Sequence, residues 1–293
     1  MATAAPRTPA PAPRPARGHF DEGSMLRRVL AENAVAFSGP RALLMMAAHP
    51  VAFEGFFMAT GTLDDPYGRL ERTAKVMDEI AWGRRDRANK MTRGVRHQHA
   101  AARGTLPVAA GKYPAGTVWA ADDPELLLWI IACLMDSVVV VHTRYIGPLD
   151  PEERQALWDD YKLVGRQFGL RVGDMPRSYA DFEAYMERMV AGDELFVTER
   201  ARELGKQIVF HPPLPSTLRP FVELVNFITI GLLPPGVRKG YGLSWDPIRE
   251  ATLRANQQYV RRVLMPLLPE KLRKSRRARQ VAQQQAAAIA DAA

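Results

Sequence analysis

The chain has 293 residues, 47% of them apolar and 25% charged, a balance that permits a large buried core. Its formal net charge of +8 is confined to the ends: residues 1–18 carry +3, residues 271–279 carry +6, Asp291 subtracts one, and residues 19–270 sum to zero. A neutral body excludes a dedicated, sequence-reading nucleic-acid domain, whose folded surface would itself be basic.

Residues 1–22 form an Ala/Pro/Arg-rich arm with little to bury, and disorder is predicted there. From Ser24 the apolar spacing is helical through Met25, Val29, Leu30, Ala34 and Ala36, with a break at Ser38-Gly39-Pro40. Residues 41–60 are strongly apolar, and His49-Pro50 inside them predicts a kink or restart. A loop over 61–67 precedes two amphipathic helices, 68–83 and 84–103. Glycines, prolines and small residues over 104–123 predict a loop with a short extended piece. Asp122-Asp123-Pro124-Glu125 is a helix start, opening a nearly all-apolar helix to about Tyr145 that serves as the central core element. Further helices are predicted from Asp150 to Phe168, Ser178 to Met189, Glu194 to Lys206, Leu218 to Leu232 and Pro247 to Leu264. From Pro269 a basic, then Gln/Ala-rich tail reads as helical and loosely held. The organisation is therefore an arm over 1–22, one all-α multi-helix domain over 23–268, and a tail over 269–293.

The lone cysteine, Cys133, lies in an apolar run and cannot make an intrachain disulfide or a Cys-based metal site. The N-terminal arm lacks the apolar core of a secretory signal. The apolar stretches near 126–141 and 221–235 fall short of the roughly 20 residues that span a bilayer. A reducing, cytoplasmic setting is the expectation.

Six histidines are present: His19, His49, His97, His99, His142 and His211. His97 and His99 are two apart, so a helix points them in different directions, and at most one faces a common centre. Arg96, His99 and Arg103 fall at i, i+3 and i+7 on one helix face. A neutral imidazole can ligate haem iron, and guanidinium groups can pair with anionic carboxylates; by spacing alone the commoner reading is a solvated basic face. Arg69, Arg72 and Thr73, at i, i+3 and i+4, form a second cluster near a helix N-terminus. It could stabilise an oxyanion, or be a solvated first turn with Glu71 and Asp65 as ion-pair partners.

In this order the blocks resemble a known family. They are Ala48-His49-Pro50, Asp65 through Thr73, Val95 through Ala100 with Arg103-Gly104, Asp123 through Trp129, Gly147-Pro148-Leu149, and Leu233-Pro234 through Arg238 with Tyr241-Gly242 and Trp245. The chain is similar over residues 25–265 to the latex-clearing rubber oxygenases and MpaB-type oxygenases. The resemblance implies a helical fold with a globin-like core and a b-type haem (iron) whose proximal ligand is His99, with Arg96 and Arg103 beside it. It implies dioxygen and a hydrophobic substrate, such as an isoprenoid, terpenoid or acyl chain. The rubber oxygenases carry an Arg-x-x-Lys-Thr motif on the distal side. Arg69 and Thr73 match it, and Arg72 replaces the lysine. Because arginine stays protonated, Arg72 implies a hydrogen-bond donor and not a capping ligand. Glu54 stands near the position of a distal glutamate proposed as a base. Ile131 replaces a histidine common in the family. His49 and His142 read as structural. Two other readings remain: a haem-free helical scaffold or partner-binding protein of the same fold, and a peripheral anionic-surface binder, of membrane or nucleic acid, acting through the 271–279 run.

Overall fold

The computed structural model describes residues 18–58 and 65–290. The arm over 1–17 and the loop segment 59–64 lie outside the described residues. The start of the folded body differs from expectation. Phe20 is buried in the main core, and His19 Nε2 lies 2.8 Å from Asn89 Oδ1, so residues 18–22 belong to the body.

The elements run α1 (Met25–Leu30), α2 (Ser38–Ala47), α3 (Pro50–Ala52), α4 (Pro66–Trp82), α5 (Arg85–Ala101), β1 (Arg103–Thr105) and β2 (Val118–Ala120). Next come α6 (Pro124–Tyr145), α7 (Pro151–Phe168), α8 (Tyr179–Ala191), α9 (Glu199–Phe210), α10 (Arg219–Leu232) and α11 (Pro235–Gly240). The last are α12 (Pro247–Tyr259), α13 (Met265–Leu267), α14 (Glu270–Arg273) and α15 (Arg276–Ala290). The class is all-α. The two short strands pair antiparallel, with Gly104 opposite Trp119.

Helix starts follow the predicted caps. Asp123 accepts from Glu125 N at the start of α6, and Asp150 with Glu153 makes a reciprocal capping box at α7. Three boundaries differ. Ser38-Gly39-Pro40 forms the first turn of α2, where proline's missing N–H costs nothing. Helix α9 begins at Glu199, because Thr198 supplies the N-cap. Residues 260–264 widen into a π turn. Pro266 comes two residues after the turn; it cannot donate to the carbonyl of Arg262, and its ring would crowd that group in a regular helix.

Helix α6 is the centre. It packs against α2, α7, α8 and α12, and Trp129, Ala132, Cys133, Met135 and Val141 are fully buried along it. It runs 22 residues, long and apolar enough to cross a membrane, because the helix continues through His142, Thr143 and Arg144 beyond the apolar run. Most of its apolar stretch is spent on the core of this chain. Arg41, on α2, is nearly inaccessible. It donates to Leu232 O at 2.8 Å, to Asp136 Oδ2 at 2.6 Å and to Ser137 Oγ at 2.7 Å, fastening α2, α6 and α10 together.

The tail is docked and not loose. Ser275 N donates to Ala31 O at 2.7 Å, and Asn33 Nδ2 donates to Leu272 O at 2.8 Å. Lys274 Nζ reaches Glu32 Oε1 at 2.6 Å, and Arg277 lies 3.4 Å from Asp78. The Glu32 carboxylate is buried and needs a cation there. Of the six basic residues at 271–279, Lys271 and Arg276 are the exposed ones.

Candidate functional site

Helices α4 and α5 form a hairpin joined through Gly83 and Arg84. The hairpin brings the beginning of α4 beside the end of α5, and so brings the two sequence clusters to one end. The Asp65 side chain caps α4 by accepting from Gly68 N at 2.9 Å. Arg69, on the next turn, is half-buried. Burial and the neighbouring Arg72 cation lower its pKa to about 10, so it remains a cation at neutral pH.

His99 lies two residues before the end of α5, half-buried, with its Nδ1 sealed from solvent. Burial lowers its pKa, the Arg69 cation lowers it further, and Asp122 acts in the opposite direction. The imidazole is thereby held neutral at pH 7. Asp122 in turn pairs with Arg103 at 3.1 Å. Arg69, His99, Asp122 and Arg103 therefore form one electrostatic cluster.

Helix α5 ends at Ala101, so Arg103 stands in β1 and not on the helical face it was expected to share with Arg96 and His99. The chain turns out of the helix because the next residues pair with β2. Arg103 still reaches the His99 surroundings, by way of Asp122. Arg96 is exposed, and its stem runs beside Gly169, where a Cβ would stand 3.6 Å from Arg96 Cδ. His97 is exposed.

Arg72 and Thr73 also face solvent. Arg72 pairs with Asp65 at 3.2 Å. Arg69 is the member of the second cluster that turns inward. Glu54 sits in a π turn over Phe53–Met58. Burial raises its pKa and the Arg200 cation offsets part of that rise, which places it beside the start of α9. Its neighbour Gly55 lies on the Trp119 ring, where a Cβ would stand 3.3 Å from Cε3.

Trp119 is the feature missed in the sequence. Its ring also covers Gly104, where an added Cβ would stand only 2.5 Å from Cζ2. Glycine at both positions admits the indole between the π turn and β1. Among the described residues Trp119 Nε1 is buried without a hydrogen-bond partner, a donor left available on the ring that covers Gly55 and Gly104. The signal for it was weak: a tryptophan in a glycine-rich loop says nothing about which backbone it covers.

His49 and His142 are structural, as their sequence contexts indicate. His49 Nδ1 accepts from Ala52 N at 3.3 Å and caps α3. Its Nε2 therefore carries the proton and donates to Tyr113 Oη at 3.1 Å. His142 Nδ1 lies 2.9 Å from Gly147 O, closing the end of α6.

Among the described residues no group of three or more His, Cys, Asp and Glu side chains is arranged to hold a metal ion. His99 offers a neutral, half-buried imidazole at this end of the molecule. An imidazole in that form fits an iron carried in a macrocycle, which would need one nitrogen from the protein.

Comparison with known proteins places the chain at the level of family. An uncharacterized protein of Mycobacterium tuberculosis and one of Mycobacterium bovis are each 30% identical over 132 residues, covering 44% of this chain and 51% of the relative. The chain spans about half the length of these curated relatives. No solved structure matches it. A family model described as "ER-bound oxygenase mpaB/B'/Rubber oxygenase, catalytic domain" matches residues 27–287, and the chain belongs to that oxygenase catalytic-domain family.

Proposed function

We propose that the protein is a haem-dependent oxygenase acting on a hydrophobic substrate, and that His99 is the residue that would hold the haem iron. The observation that carries this reading is the half-buried His99 imidazole, kept neutral by burial and by Arg69. A neutral nitrogen is the form that can ligate iron. Haem, when bound, supplies dioxygen activation that no side chain of this protein can perform.

The protein's own groups bind and orient. Arg69 is a half-buried cation able to stabilise negative charge developing on oxygen. Trp119 Nε1 is a second donor within the same end of the molecule. Arg96 and Arg103 are exposed cations that would be available to pair with the anionic propionates of such a group. Arg72 and Thr73 stand on the exposed side of α4 and act from the rim of the site. Glu54, with its carboxyl pKa raised by burial, is suited to hold a proton.

Spectroscopy tests the reading directly. Protein produced with an adequate haem supply is expected to show a Soret band and a b-type pyridine haemochrome. His99→Ala is expected to lose the band or shift it, while far-ultraviolet circular dichroism stays unchanged. A haem-free protein under those conditions, or a Soret band indifferent to His99→Ala, rules the assignment out.

A further inference from the structure

The segment Pro247–Leu267 is one continuous helical rod made of α12, the π turn over Val260–Leu264, and α13. Its inner side is anchored: Leu253, Gln257 and Met265 are buried, and Val260 packs against Val141, Tyr145, Ile228 and Leu232. Its outer side carries large apolar side chains in water. Ile248 is 79% exposed at one end and Leu267 76% at the other, with Tyr259 and Val263 between them. Residues 248, 252, 255, 259, 263 and 267 follow helical spacing, so they form one stripe, about 29 Å long at helical rise.

Cations lie on this stripe's rod and in the segment that follows it in the chain. Between residues 251 and 290 the chain has nine Lys and Arg and a single acid, Glu270. Arg254 pairs with Glu250, Arg273 and Lys274 serve Glu32, and Arg277 serves Asp78. Among the described residues, no carboxylate pairs with Arg262, Lys271 or Arg276, and all three are exposed. An exposed apolar stripe with unneutralised cations alongside is the pattern of a helix that lies in the plane of a lipid interface. A second copy of this chain is a poor occupant, because a symmetric contact would bring like charges together.

We propose that the Pro247–Leu267 ridge docks the protein on an anionic phospholipid surface. Tyr259, Val263 and Leu267 enter the acyl boundary, and Arg262, Lys271 and Arg276 meet lipid phosphates. The contact is made by the folded body and not by a free basic tail, because Arg273, Lys274 and Arg277 of the 271–279 run are paired inside the molecule. It is independent of what the His99 site binds.

The test is co-sedimentation of the full chain with vesicles of phosphatidylcholine plus phosphatidylglycerol, against phosphatidylcholine alone. The protein is expected to bind the anionic vesicles and to release them at high salt. Val263→Glu/Leu267→Glu and Arg262→Glu are each expected to weaken partitioning about tenfold. These side chains contact solvent, so melting temperatures should not change. Leu214→Glu/Phe221→Glu, on another exposed apolar patch, is expected to bind as the parent does. As a measurement that does not depend on affinity, a nitroxide at Leu267→Cys should enter the acyl region, since Cys133 is buried. Absence of binding at low salt overturns the proposal. So does binding unaffected by the ridge variants, or a nitroxide that stays aqueous. Sedimentation velocity showing a dimer abolished by Leu267→Glu would assign the ridge to a second copy instead.

Discussion

At the scale of single residues, charge and burial decide what each histidine can do. His99 is neutral partly because Arg69 is near it, so removing that cation should raise its pKa. Arg69→Gln is expected to shift the His99 titration upward in the cofactor-free protein, read by NMR of the imidazole protons; no upward shift would separate the two residues. His49 behaves differently. Burial lowers its pKa to about 4, against an ordinary value of 6.5. Between those values the unfolded chain binds a proton that the folded one does not, so stability is present above about pH 6.5 and is lost as pH falls toward 4. The loss is on the order of 3 kcal/mol. His49→Asn keeps an N-capping acceptor and removes the titrating ring. Its urea-unfolding stability is expected to fall less steeply over that pH range than the parent's.

At the scale of elements, most boundaries are set locally. A proline or acid in the first turn and a cap before it fix the starts of α6, α7, α8 and α12. Asp150→Ala removes one half of the α7 capping box and should cost about 1 kcal/mol in a denaturant titration. Where several groups compete, local signals mislead. The face expected to hold Arg96, His99 and Arg103 is interrupted because strand pairing with Val118–Ala120 ends α5 first. The π turn at 260–264 answers to Pro266, a later residue, and periodicity alone passes straight through it.

At the scale of the molecule, long-range pairs decide how the ends behave. The 271–279 run reads as a free basic patch in sequence, yet Lys274 and Arg277 are paired with Glu32 and Asp78 in the body. Lys274→Ala leaves the buried Glu32 carboxylate with a weaker cationic environment and should cost about 3 kcal/mol. Adding Glu32→Gln should recover a large part of that loss, as a double-mutant cycle in urea would show. An unchanged stability on Lys274→Ala would return the tail to the solvent.

The sequence by itself determined the all-α class, the central helix from Pro124, most helix starts and the family resemblance, because periodicity and capping are encoded over a few neighbouring residues. It also named Arg69 and His99. Only the tertiary structure decided that the hairpin of α4 and α5 sets these two side by side, with Asp122 joining them. It alone turned Arg72, Thr73 and Arg96 toward solvent, seated Trp119 between Gly55 and Gly104, and fastened the basic tail to Glu32. Each of those outcomes depends on which distant backbone or charge a side chain meets. That information resides in packing and not in spacing along the chain.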